Sequence, residues 1–265
     1  MRSLVILSLL TLFTVSAIAA TTDTLQVKPG DLDIKALQTG SYSYIIYNKQ
    51  TKDSPAQRLT LVKITVKAAV NHDKPAFIIT QQWDRDTIVH AAYSVFDAKD
   101  FSTIVHDTWW KSIGYRMKFD FEKKTVDFVK SGINGEIPDS IKTAATNDFN
   151  QSFDAYNLNW HADLLVYQLL PYKEGRTFMI NFYDPGFGKA EKVAYSVTGS
   201  DVLTDGHGQE IDCWVLNHTE AAGSETFWIA KKIKEVLKEE DQSKRGYRYK
   251  IKFGISGDST SGEKN

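Results

Sequence analysis

Six histidines, His72, His90, His106, His161, His207 and His218, are the first residues to weigh for chemistry. Imidazole serves both acid–base catalysis and metal ligation near neutral pH. None of the six stands in HxH, HExxH or a comparable ligand spacing, so the sequence predicts no metal site. His90 and His106 fall in stretches that alternate like strand, with Asp86, Asp97 and Asp107 close by in sequence. A histidine–carboxylate dyad is open there. No serine or cysteine carries a nucleophile motif such as GxSxG, so no catalytic residue is assigned. His207 lies in the Gly-rich turn "DGHGQE" and reads as a solvated loop residue. His161 opens a helical stretch, an end that disfavours a protonated imidazole, and reads as a neutral capping or surface group. Cys213 is the only cysteine, so it forms no internal disulfide, and in "IDCWVL" it reads as a small buried hydrophobe.

Other chemistries find less support. There is no GxGxxG or Walker loop, and "DPGFGK" joins two strands instead of opening a helix, so it makes no phosphate cradle. No cofactor is expected. With 32 Lys and Arg against 33 Asp and Glu, the chain lacks the basic footprint that nucleic acid requires. "NQS" at Asn150 and "NHT" at Asn217 match the glycosylation pattern, which matters only in a host that glycosylates. The aromatic residues remain: six Trp, twelve Tyr and fourteen Phe. Rings with polar tips suit pockets that grip apolar ligands, although core packing is their commoner use. Trp109 and Trp110 point to opposite faces of one strand, so one of them should face outward or into a lumen.

The elements that must position these residues are mostly strands. "YRMKFDFE" places Tyr115, Met117, Phe119 and Phe121 on one face, and Arg116, Lys118, Asp120 and Glu122 on the other. "LVKITVKA" and "YRYKIKF" repeat the pattern. Such alternation means antiparallel sheet with one buried and one wet face. Further strands are predicted at 41–48, 76–83, 87–96, 102–109, 125–130, 177–183, 192–198, 211–217 and 226–229. Short turns rich in Asp, Asn, Gly and Pro connect them, the signature of an antiparallel meander. "FWIAKKIKEVLKEE" fits either a helix or a strand–turn–strand.

"NWHADLLVYQLLPY" breaks the alternation. Ala162, Leu165, Val166, Leu169 and Leu170 recur at helical spacing, Asn159 can cap the start, and Pro171 ends the run. Trp160, Leu164 and Tyr167 widen the apolar face onto a flank. A helix this apolar packs into a concave sheet, or shares its flank with a ligand. The candidate ligand-binding residues are therefore Trp160, Leu164, Tyr167, Trp109 and Trp228.

The first residues have the form of an export leader: Arg2, an apolar run Leu4 to Val15, and the small-x-small site Ala17-Ile18-Ala19. The reading is a signal peptide over 1–19, one β-rich domain over 20–254 and a disordered tail over 255–265. The apolar run is shorter than the ~20 residues a spanning helix needs. An exported, periplasmic location follows from that reading.

The stretch from Asp154 to Phe253 resembles an uncharacterised family of exported bacterial β-proteins, a domain of unknown function of the DUF3108 type. The residues that carry the resemblance are the helix ending in "LLPY", the "DCWVL" strand and "FWIAKKIKEVLK". That family is similar in fold to the periplasmic lipoprotein carriers. The resemblance implies an incomplete, half-barrel meander with a helix on its concave face, where such carriers hold lipid chains. It also implies strand, turn, strand for the ambiguous segment. It brings no functional residues with it. Three readings stand: a periplasmic binding or carrier protein for a lipid-like or apolar ligand, an envelope interaction or assembly protein with a filled core, and, third, a hydrolase using His90 or His106.

Overall fold

The computed structural model describes residues 23–132 and 136–253, so the leader at 1–19 and the tail at 255–265 lie outside the described residues. The strands are β1 (Thr24–Gln26), β2 (Gly40–Lys49), β3 (Gln57–Asn71), β4 (Lys74–Asp84), β5 (Ile88–Asp97), β6 (Thr103–Trp110), β7 (Tyr115–Asp120) and β8 (Thr125–Lys130). After helix α1 (Asp139–Gln151) come β9 (Leu158–Asn159), helix α2 (Asp163–Gln168), β10 (Thr177–Tyr183), β11 (Glu191–Thr204), β12 (Glu210–Glu220), β13 (Gly223–Ala230), β14 (Val236–Ser243) and β15 (Gly246–Phe253).

Two antiparallel meanders, β2 to β8 and β10 to β15, form one sheet by pairing the last strand with the second, Tyr249 opposite Tyr47. The sheet runs from β1 at one edge to β8 at the other and does not close. Its two short N-terminal partners of β10, β1 and β9, are the parallel pairs. Curvature brings the ends near each other. Met117 and Phe119 on β7 pack in one cluster with Phe149 of α1 and Tyr183 of β10. The turn after β10 reaches the same place: Gly186 has φ +89°, and a Cβ there would meet the Met117 side chain. Glycine alone satisfies both the positive φ and the close approach. The weakly periodic connection that holds α1 gave no helical signal, because only Ala145 and Phe149 of that helix are buried.

The concave face holds the main core. Tyr42, Tyr44 and Ile46 of β2, Val62 and Ile64 of β3, and Phe178, Ile180 and Phe182 of β10 all converge there. So do Tyr195, Leu216, Phe227 and every residue of α2 from Leu164 to Tyr167. The helix is shorter than its apolar run. A 3-10 turn over Trp160–Ala162 precedes it, and the Asn159 side chain accepts a hydrogen bond from the His161 N–H at 2.9 Å. Leu164 to Leu170 are buried without a break, so α2 is enclosed beyond its first residue, Asp163, as expected of a run that is apolar around most of its circumference.

The segment that periodicity left ambiguous is strand, turn, strand: β13, the turn 231–234, then β14. On β15 the alternation has the opposite sense from the other strands. Lys250 and the side chain of Lys252 turn inward and are buried, whereas Phe253 is exposed. Acidic groups already inside the sheet explain it. Lys250 stands 2.6 Å from Glu239, and Lys252 2.9 Å from Glu235, two carboxylates with almost no exposure. The outward tyrosines are covered by one another, with Tyr47 and Tyr249 stacked at 5.1 Å.

Candidate functional site

α2 does not fill the concave face completely. Beside its N-terminus lies a cleft of about 240 Å³. One wall is Gln81 and Trp83 of β4 with Trp110 of β6; the other is Glu225 of β13 with Arg248 and Lys250 of β15. Val62, Ile64 and Leu164 supply apolar surface, and Trp160, His161, Asp163 and Asp184 complete the lining. Alternation explains the first wall. Trp110 sits opposite His90, and His90 opposite Trp83, so all three side chains share the inner face. Trp83 and Trp110 meet edge to face at 5.3 Å, and His90 stacks on Trp110 at 3.7 Å. Trp160 stacks on Phe182 at 5.4 Å, so its ring is braced from behind.

The histidines form a group that the linear sequence does not show. The His161 ring lies 5.3 Å from that of His90 and 4.6 Å from that of His106. None of the three takes its partner from the neighbouring aspartates in sequence. His90 Nδ1 faces the Trp109 carbonyl at 2.9 Å, His106 Nδ1 faces the Ser94 hydroxyl at 2.8 Å, and His161 Nδ1 faces Asp184 at 3.0 Å. Asp107 pairs instead with Arg116 at 3.1 Å, and Asp97 accepts from the Lys99 N–H. Burial, then the neighbouring His161, pushes the His90 imidazole down to about 3, and His106 is held well below its ordinary range for the same reasons. Both are neutral rings. The carbonyl opposite His90 Nδ1 requires that nitrogen to carry the proton. The Ser94–His106 pair has the distance of a nucleophile and its base, but Ser94 and His106 are both buried. Among the described residues no three His, Cys, Asp or Glu side chains are placed to hold a metal ion.

The opposite wall is charged. Glu239 receives Arg248 at 2.7 Å and Lys250 at 2.6 Å. Burial works to raise its carboxyl, but the two cations outweigh burial and hold it below the ordinary range. Glu225 is less well compensated, with Arg248 4.0 Å away and the Tyr195 hydroxyl donating at 3.3 Å. Burial, reinforced by the charge of Glu239, pushes the Glu225 carboxyl up to about 7. Burial also raises Asp163, against the pull of Lys250.

The five residues singled out in the sequence occupy different places. Trp160 and Leu164 line the cleft. Tyr167 is fully buried in the core among Phe182, Tyr195 and Phe227. Trp109 sits opposite Ala91 and Arg116, on the other face of β6 from Trp110. Trp228 is likewise on the outside, giving its N–H to Asp201 at 2.8 Å beneath the Lys238 ammonium. Cys213 is buried in the small outer cluster beside Trp228, its thiol pushed up to about 11 by burial. Of the pair Trp109 and Trp110, which alternation puts on opposite faces, it is Trp110 that faces the cleft, and Trp83, Glu225, Arg248 and Lys250 escaped the sequence reading. Alternation could have paired Trp83 with Trp110, but only the inward turn of β15 places the charges.

No curated protein matches the sequence. Among solved structures, a beta-barrel-like protein of domain of unknown function DUF1849 from Brucella abortus is similar at 7% identity and a TM-score of 0.34, over 80% of this chain and 94% of that one. Residues 55–252 match the family described as "Protein of unknown function (DUF3108)", a span that runs from β3 into β15 and includes every residue lining the cleft, and the chain belongs to that family.

Proposed function

We propose that the protein is an exported binding protein of the bacterial envelope that holds a compact ligand in the cleft beside α2. One observation carries this reading. Three tryptophans from separate elements meet cationic and anionic side chains around a single cleft on the concave side of the sheet. Its volume, about 240 Å³, is below the ~300–1,000 Å³ usual for drug-sized ligands. The volume favours one ring-sized group over an acyl chain. The apolar surface of α2 is committed to the core, and two larger grooves, of about 760 and 620 Å³, open on the outer face of the sheet, while another of about 520 Å³ adjoins Trp160 and Glu225 from the side of β11 and β12. The export leader in the sequence supports the location.

The filled interior also favours a second reading, an envelope interaction or assembly protein whose concave face is its own core. Native mass spectrometry of protein purified from its own envelope separates the two. Binding gives an added small-molecule mass that is lost in Trp160→Ala. A spectrum of bare protein, together with recovery of one stoichiometric envelope partner by wild type and Trp160→Ala alike, overturns the binding reading.

A further inference from the structure

The chemistry of the cleft narrows what it would accept. An anionic ligand needs surplus positive charge, yet both cations of the lining are engaged. Arg248 lies against Glu239 at 2.7 Å and Asp241 at 3.3 Å, and Lys250 against Glu239 at 2.6 Å. A cationic ligand needs surplus negative charge beside the rings. Here the same Arg248 and Lys250 line the cleft, and the carboxyls of Glu225 and Asp163 are both raised, by burial before any other cause. A purely apolar ligand would bury those charges and the Asp184 carboxylate without replacing their hydration, which is costly.

What the lining offers in quantity is something else: ring faces, and planar polar groups of both hydrogen-bonding senses. Trp83, Trp110 and Trp160 supply the faces. Gln81, His161, Asp163, Asp184, Glu225, Arg248 and Lys250 supply donors and acceptors. Two polar atoms of these walls are buried without a hydrogen-bond partner, His161 Nε2 and Trp110 Nε1; Asp184 Oδ1 and Arg248 Nε are taken by His161 and Asp241. The His161 side chain is 10% exposed. Trp110 Nε1 is a donor, and His161 Nε2 donates or accepts according to the tautomer. Buried polar atoms of this kind are normally satisfied, so they mark where partners belong. Hydroxyl groups suit such a mixture because each both donates and accepts.

On the reading that this cleft is the binding site, we propose that its ligand is a neutral saccharide unit. The apolar face of the sugar ring would lie on tryptophan, and its hydroxyls would meet the carboxyl, imidazole and guanidinium groups opposite. Trp160, braced by Phe182, is the principal stacking surface. Glu225 and Asp184 accept from hydroxyls.

The test uses the full exported chain on a broad glycan array, followed by calorimetry and tryptophan fluorescence with the best neutral glycan. Its phosphorylated and amino-substituted analogues and octanoate serve as comparison probes. The expected result is saturable binding of the neutral glycan, weakened at least tenfold in Trp160→Ala and in Glu225→Ala. Trp228→Ala, on the outer face, should bind as wild type does. Circular dichroism must show both cleft variants folded; if either is not, Trp160→Phe, which keeps a ring but a smaller one, should still weaken binding severalfold. Preference for the phosphorylated or amino analogue, or for octanoate, overturns the saccharide assignment while leaving the binding site in place. No glycan bound, with a small molecule of another class seen by native mass spectrometry, does the same. No glycan and no co-purifying mass sinks the binding reading as well.

Discussion

The ammonium of Lys250 stands 2.6 Å from one oxygen of Glu239, and the guanidinium of Arg248 stands 2.7 Å from the other, all on the inner face of the sheet. One buried carboxylate thus serves two cations. Removing it should be far worse than removing either cation, since breaking a buried pair leaves an uncompensated charge. Glu239→Gln should cost ~3–5 kcal/mol. Lys250→Met should cost less, because Arg248 still neutralises Glu239. Urea midpoints check the order; a larger loss in Lys250→Met would show that Arg248 does not carry the compensation.

Phe119 and Lys118 test the sense of alternation on a strand where sequence and structure agree. Phe119 is fully buried in the seam cluster with Phe149, and Lys118 is exposed. Phe119→Ala should cost ~3–5 kcal/mol. Lys118→Ala should stay within about 0.5 kcal/mol. Equal midpoints for the two would mean that β7 presents the other face to the seam.

Tyr167 and Trp160 both belong to the flank of the apolar run, yet the fold gives them different work. Tyr167 has no exposure and touches three aromatic rings. Tyr167→Ala should therefore destabilise by ~3–5 kcal/mol, as Phe119→Ala does, and Leu165→Ala by ~2–5 kcal/mol. Trp160→Ala should cost less than Tyr167→Ala, because its ring is only half-buried at the cleft. Melting curves for the three decide it, and a Tyr167 variant as stable as wild type would exclude the packing described for α2.

These contrasts show what was legible in the chain. Period two in "YRMKFDFE" and "LVKITVKA" marks strands and their buried faces, because one face there is wholly apolar. The same period in "YRYKIKF" marks the strand but not its sense. Lys250 and Lys252 turn inward only because Glu239 and Glu235, from the preceding strand and its turn, are already there. The start of α2 was readable from Asn159 and its end from Pro171, whereas α1 buries too little to leave a pattern. The histidine group was invisible because it joins residues of β5, β6 and the turn before α2. No local spacing encodes that meeting.

Glu225 gives a stability effect with a definite sign. Its folded carboxyl titrates at about 7, against an ordinary 4.5, so between those values the folded state binds the extra proton. The stabilisation from that proton is complete below pH 4.5 and is lost as pH rises through 7. Glu225→Gln keeps an acceptor for the Tyr195 hydroxyl and removes the titration. Relative to wild type, this variant should gain about 2 kcal/mol as pH rises from 5 to 8. A stability difference that stays flat across that range would show that Arg248 compensates Glu225 fully.

His90 and His106 act in the opposite direction over part of the same range. Both are buried, and both titrate below the ordinary 6.5, His90 at about 3. The unfolded chain therefore takes up protons near 6.5 that the folded chain refuses. Stability from these neutral rings is full above 6.5 and falls as pH drops toward the folded values. His90 should cost roughly 1.5 kcal/mol between pH 6.5 and 5, and His106 adds a loss of the same sign. The gain at Glu225 partly masks that loss in wild type, so the measurement belongs in a Glu225→Gln background. There, urea unfolding at pH 6.5 and pH 5 should show the full drop, and replacing His90 by Phe should reduce it by roughly 1.5 kcal/mol. His90→Phe keeps a ring to stack on Trp110, so packing changes least. If the drop is unchanged by that replacement, His90 takes up its proton while folded, and the imidazole that stacks on Trp110 is reached by water.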